Sequence, residues 1–410
     1  REKVKRILTI IICFLFVSGG LFGCGASAEY EKNRIKTNAE KTSVSDTALA
    51  GGLDGYLSFS AEFLKNSGDG NSLVSPASLL LALGMTFNGA EGETLLEAEK
   101  VFGMSISVLN EFCLALGEDI KNYNSKSETR IKEANSLWIE EEYGEFVKDE
   151  YMSEVGKYYD PEVFSLPFDS AAVKKINDWT SDRTDGEIKK LVDNLNDVRV
   201  ALVNALIVKG RWQTPANNSF DREFTSYDGR KSTCKFFSGY GALYESESAY
   251  AVKKYLAGGA FYLCILPKEA AYFADYSASF GGEELKTLLT NNNKRGAEYI
   301  MPEFNGEFSY DLIPILSSMG IERAFTKDAD FSKMTSNPRG LRIGDALQKT
   351  RIRVTKTGLT AAAATVIATK DATDEMPIEK PLKLSFDRPF LYVICMPNGE
   401  PLFIGKQVSM

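Results

Sequence analysis

Hydrophobic and polar positions divide the chain into three regions. An eleven-residue apolar run from Ile7 to Val17 follows the basic residues Arg1, Lys3, Lys5 and Arg6. It falls short of the roughly 20 residues that span a bilayer and suits a secretory signal. Residues 29–47, "EYEKNRIKTNAEKTSVSDT", are polar and carry no hydrophobic period, which predicts a tether. From residue 48 to residue 410 the pattern is that of one folded body, with no internal repeat and no second linker.

Within that body the early segments are helical. Leu53, Leu57, Ser60, Phe63 and Leu64 recur on one helical face. "SPASLLLALGMTFNGA" starts with serine caps and a proline in its first turn and closes near Gly89. In "AVKKINDWTSDRTDGEI", Val173, Ile176, Trp179 and Thr180 share a side, and "YDLIPILSSMGIERAF" is a further helix. "VALVNALIVKGRW", "AFYLCILP", "AEYIMPEF", "LSFDRPFLYVICMP" and "EPLFIGKQV" have the composition of strands. Helices and mostly antiparallel strands do not alternate regularly, which argues for an α+β fold.

Composition removes more functions than it suggests. The chain contains no histidine. That excludes Ser-His and Cys-His nucleophilic catalysis and every histidine-ligated metal site. No GxxxxGK or GxGxxG phosphate loop is present. The densest acidic run, Glu140-Glu141-Glu142, reads as solvated surface. A net charge of −8 without a basic stripe argues against nucleic acid as a partner.

Two processing points compete near the signal. Leu21-Phe22-Gly23-Cys24 resembles a bacterial lipobox, in which Cys24 is lipidated and anchors the chain to a membrane; Ala26-Ser27-Ala28 fits the A-x-A rule for ordinary secretion. Both place the protein outside the cytoplasm, extracellular or at the cell surface. Cys113, Cys234, Cys264 and Cys395 remain in the body, widely spaced, and read as buried free thiols.

One segment fits neither a helix nor an ordinary loop. "GLTAAAATVIATK" (358–370) carries no charge from Thr357 to Thr369 and has four consecutive alanines. Alanine favours helix, but the flanking Thr, Val and Ile oppose it. As a strand, Leu359, Ala361, Ala363, Thr365, Ile367 and Thr369 would share one face. All are small or apolar enough to slip between existing strands.

Four stretches, in order along the body, resemble the serpins: "SLVSPASLLLALGMTFNGAEGET" (72–94), "INDWTSDRTDGEIKKLV" (176–192) with "LVNALIVKGRW" (202–212), "MPEFNGEFSYDLIPILSSMGIERAFTKDADFSKMT" (301–335), and "LSFDRPFLYVI" (384–394). The resemblance implies three β-sheets, eight or nine helices and an exposed reactive-centre loop ahead of the last stretch. It implies an inhibitor of serine endopeptidases, and not an enzyme. A target protease attacks the bait bond, and the loop inserts as a strand before the acyl-enzyme is released, leaving a covalent complex. The inhibitor is then a monomer without cofactor or metal. A non-inhibitory binding or scaffold lipoprotein on the same fold is the alternative.

Residue by residue, Gly358 is similar to the hinge glycine, and Thr360, Ala361, Ala362, Ala363 and Ala364 to the small-residue run of inhibitory members. Two positions depart. Lys356 stands where the family usually has glutamate, and Leu359 where threonine or serine is usual. Ser75, Ser78 and Asn204 match the polar shutter beneath the sheet that opens; helix capping accounts for the two serines as well, and both roles can coexist. Gln348 stands where histidine is common, and Trp212 matches the tryptophan where insertion begins. Family spacing counted from Lys356 places the bait bond between Ala372 and Thr373, suited to an elastase-like protease, with papain-like cysteine proteases as further targets. A loop longer than usual keeps Lys370 (trypsin-like) and Met376 (before Pro377) open as alternatives.

Overall fold

The computed structural model describes residues 27–37, 39–43, 46–196, 198–269, 273–337, 340–359 and 380–410. Among these, nine α-helices exceed a single turn: α1 (Asp46–Lys65), α2 (Pro76–Phe87), α3 (Gly92–Phe102), α4 (Ile106–Lys126), α5 (Asp149–Tyr158), α6 (Ser170–Arg183), α7 (Phe273–Ser279), α8 (Gly282–Thr290) and α9 (Leu312–Met319). The strands are β1 (Arg34–Ile35), β2 (Ser72–Val74), β3 (Arg130–Glu140), β4 (Val163–Leu166), β5 (Val200–Arg211), β6 (Ser219–Thr225), β7 (Lys231–Glu245), β8 (Ala249–Tyr255), β9 (Phe261–Pro267), β10 (Asn292–Pro302), β11 (Phe304–Asp311), β12 (Ile343–Val354), β13 (Gly358–Leu359), β14 (Leu382–Ser385), β15 (Phe390–Cys395) and β16 (Pro401–Gln407).

Local chemistry sets the helix ends. Ser75 caps α2 by accepting from the Ser78 amide at 3.3 Å, with Pro76 in the first turn. Every residue of α2 is buried, as expected of a helix that is apolar all round. Asp169 caps α6 through the amides of Ala171 and Ala172. α9 stops at Gly320, whose φ of 114° only glycine adopts without strain.

Seven strands form one sheet in the order β1-β4-β3-β5-β13-β12-β11, with β5 also paired directly to β12. A second ladder of nine runs β14-β10-β7-β8-β9-β15-β16-β2, with β6 on β7. The long β7 joins two parts of that ladder: Lys231–Phe237 pair β6, Phe236–Tyr244 pair β10, and Ala242–Glu245 pair β8. The three sheets implied by the family therefore appear as one separate sheet and two that share β7. β5 is buried on both faces, which explains its unbroken apolar run. Leu202, Leu206 and Val208 join the main core around α2, whereas Ala201, Val203 and Ala205 face Trp138, Phe164 and Trp179 under α6.

Much of the stretch read as a tether is packed against the body. Arg34 and Ile35 pair antiparallel with Phe164 and Val163, adding β1 to the sheet edge. Tyr30 is 2% exposed, lies edge-on to Phe164 with ring centroids 6.0 Å apart, and donates to Asp182 at 3.1 Å. The Thr42 amide donates to the Lys157 carbonyl at 3.2 Å. Two apolar side chains anchor this strap, too few to register as a period. The acidic run behaves as read, with Glu141 and Glu142 exposed. The four body cysteines are free; Cys113, Cys264 and Cys395 are buried, and Cys234 is half-buried.

Candidate functional site

β5 and β12 run parallel, and their pairing extends from Val200↔Ile343 to Leu206↔Thr350. At its middle, Asn204 lies opposite Gln348. Ser75, Ser78, Asn204 and Gln348 are all 0% exposed, so each polar atom needs a partner. Gln348 supplies several. Its Oε1 accepts from the Ser75 amide at 2.9 Å, while Nε2 donates to the Ser75 carbonyl at 3.0 Å and to Asn204 Oδ1 at 2.7 Å. Asn204 Nδ2 donates to Asn135 Oδ1 at 2.7 Å, and the Ser78 hydroxyl donates to the same oxygen at 2.8 Å. Ser75 Oγ donates to the Leu402 carbonyl at 2.9 Å. The structure thus brings the four expected shutter residues together and adds Asn135 from β3. An amide in place of the usual histidine makes this lock from groups that do not titrate near neutral pH.

Above Leu206 and Thr350 the two strands part, and β13 occupies the opening. Gly358 pairs with Arg211 and Leu359 with Gly210, both antiparallel, while Leu359 pairs with Val354 on the other side. Leu359 is 1% exposed and belongs to the main core, so the departure from threonine places an apolar side chain where apolar contact is available. A Cβ on Gly358 would sit 2.2 Å from the Gly210 carbonyl oxygen; glycine is required here by close approach.

Trp212 holds the turn that leads into β13. Its indole Nε1 donates to the Thr355 carbonyl at 2.7 Å and its amide to the Thr357 carbonyl at 2.9 Å. Thr355 Oγ1 donates to the Gly358 carbonyl at 3.1 Å and accepts from the Gly358 amide at 3.2 Å. The Lys356 ammonium donates to the Asn217 carbonyl at 3.1 Å, and its amide to Glu303 Oε1 at 3.4 Å. Glu303, from "MPEF", therefore supplies a negative group beside the position where this chain carries lysine. The Ser219 hydroxyl shares that carboxylate oxygen. Lys254 lies beneath, 5.1 Å from the Trp212 ring and donating to the Thr214 carbonyl at 3.0 Å; burial lowers its pKa to about 8.

Thr360, Ala361, Ala362, Ala363, Ala364, Lys370, Ala372, Thr373, Met376 and Cys24 lie outside the described residues. Sequence reasoning does not reach Asn135, Glu303, Thr355 or Lys254. Asn135 carries a usable signal, an amide within the strand-like "NSLWI", but only the register opposite Asn204 gives it meaning.

Comparison with known proteins decides the family. The family model described as serpin (serine protease inhibitor) matches residues 57–410. The chain belongs to the serpins. Mouse alpha-1-antitrypsin 1-2 is 26% identical over 369 residues, covering 87% of each chain. Iripin-8 of Ixodes ricinus is 30% identical over 345 residues, covering 79% of this chain and 84% of its own. Tengpin, a thermophilic serpin, matches in its native state with 30% identity and a TM-score of 0.81, covering 92% of this chain and 98% of its own. Its latent state matches with 28% identity and a TM-score of 0.73, covering 90% and 100%. The serpin described here is thus more similar to the native state of that relative. Inhibition of serine proteases is the activity of its homologues, with a target protease as the partner.

Proposed function

We propose that this serpin is a suicide-substrate inhibitor of extracellular serine proteases, elastase-like enzymes first, with papain-like cysteine proteases as secondary targets. The observation that carries the reading is β13, whose two residues are seated between β5 and β12 in antiparallel register. Continued in that register, the loop would set Thr365 between Asn204 and Gln348, and place Ala361 and Ala363 on the face shared by Leu359. A strand of about twelve residues is about 40 Å long and gains hydrogen bonds of about 1 kcal/mol each on both edges. Loop insertion of this kind is a known route by which serpins release stored strain.

The chemistry follows from the bait. The protease serine attacks the Ala372 carbonyl, the Thr373 amine leaves, and an ester joins Ala372 to the enzyme. Insertion carries the esterified protease away from the scissile position before water completes hydrolysis. The uncharged run 357–369 supports this reading over a non-inhibitory scaffold. The apolar signal-like run and the lipobox-like Cys24 support secretion, with a lipid anchor through Cys24 as the membrane attachment.

Incubating residues 29–410 with elastase-like and trypsin-like proteases tests the proposal. The expected product is an SDS-stable adduct, with a released C-terminal peptide that begins at Thr373. A peptide starting at Asp371 or Pro377 would move the bait bond to Lys370 or Met376. Cleavage without any adduct would instead identify a non-inhibitory binding protein.

A further inference from the structure

A cleft of about 570 Å³ lies beside the shutter, lined by α2, α4, β3, the end of α5 and the strap. Leu81, Met85 and Leu114 give it apolar walls, and Glu133 and Asn135 line it from β3. Most charges around it are already satisfied. Lys121 pairs with Asp160, Arg183 with Glu162, and the Lys41 ammonium at the mouth donates to the Tyr159 carbonyl. Glu118 at the rim is exposed to solvent. Glu133 differs. Its Oε2 is enclosed and has no hydrogen-bond partner among the described residues. An enclosed carboxylate oxygen without a donor is costly.

We propose that this cleft is a binding site for a small organic cation, an alkylammonium group whose N–H donors satisfy Glu133 while its hydrocarbon part packs on Leu81, Met85 and Leu114. One carboxylate with apolar walls suits an amine better than a metal ion, which needs several ligands. Among the described residues no group of three or more such ligands exists. The site also bears on the shutter. Glu133 and Asn135 are two residues apart on β3 and so share a face, opposite Leu206 and Asn204 respectively. A ligand seated on Glu133 therefore braces the strand that holds the Asn135–Asn204 contact, and favours the closed sheet.

Amine binding here is independent of whether the loop traps proteases, and a binding measurement tests it. At pH 8 and fixed ionic strength, n-butylammonium should raise the melting temperature of the uncleaved protein by about 1–3 °C at saturation. 1-Butanol, the uncharged analogue, should not. Glu133→Gln should abolish the shift, and Leu114→Trp, which fills the cleft and keeps the carboxylate, should abolish it too. Calorimetric titration of the wild type should give one site per chain. No shift with the wild type, or an equal shift in Glu133→Gln, would overturn the proposal, as would stabilisation by butanol as strong as by the amine.

Discussion

Gln348 donates through Nε2 to Asn204 Oδ1 over 2.7 Å, across the seam between two parallel strands. The same side chain holds both backbone groups of Ser75, so one amide ties the seam to the cap of the buried helix beneath it. Gln348→Ala removes three hydrogen bonds and deprives the buried Ser75 amide of its acceptor. The native form should lose about 2–4 kcal/mol. Thermal denaturation should show a lower first transition, and loss of inhibitory activity on storage should be faster than for the wild type.

A methyl group at residue 358 has no room. Gly358→Ala would bring Cβ to 2.2 Å from the Gly210 carbonyl oxygen and 2.8 Å from Arg211 Cα, both backbone atoms. The two seated residues should be expelled. With a susceptible protease, the variant should be cleaved at the same bond but yield at least several-fold less adduct, read as the adduct-to-cleaved ratio on a denaturing gel.

The lysine at 356 and the carboxylate at 303 form a relationship that a double-mutant cycle can isolate. Glu303→Lys sets a second cation beside Lys356 and also removes the acceptor of the Lys356 amide and the Ser219 hydroxyl. It should cost about 1–2 kcal/mol, since the groups are only partly buried. Adding Lys356→Glu should restore part of that loss. A loss in the double variant equal to the sum of the two single losses would show that the two side chains do not interact.

Stability should fall as pH rises through the weakly acidic range. Burial pushes Glu133 and Glu400 up to about 7, and Asp345, also facing the charge of Asp311, up to about 6. In the unfolded chain these groups titrate near 4. The folded form therefore holds protons that the unfolded form has released, and the associated stability is complete below about pH 4 and lost by about pH 7. Glu133→Gln should flatten part of this slope in urea midpoints measured from pH 5 to pH 8, and be more stable than the wild type at pH 8.

The helices and the doubly buried β5 were legible because long apolar patterns and caps are local signals. The shutter was legible for Ser75, Ser78, Asn204 and Gln348 through resemblance, whereas Asn135 acquires its role only from the register of β3 against β5. Glu133 in "RIKEANSLW" carries no local signal of burial; α4 packs against β3, a contact that sequence alone does not show. The strap was hidden for the opposite reason: Tyr30 and Ile35 find their partners, Phe164 and Val163, more than a hundred residues away. The contact of the Lys356 amide with the Glu303 carboxylate joins positions separated by 53 residues, which no local pattern reveals.

β13 is short, yet under the proposed mechanism it would alter the kinetics of loop insertion. Starting a strand ordinarily demands a search for alignment and the ordering of several residues before any reward. With Gly358 and Leu359 engaged on both flanks, the slider of a zip-fastener is already mounted on its teeth. Under the proposed mechanism, advance after the bait is cut would be a stepwise run in a fixed alignment that first parts Leu206 from Thr350 and then reaches the amide pair at 204 and 348.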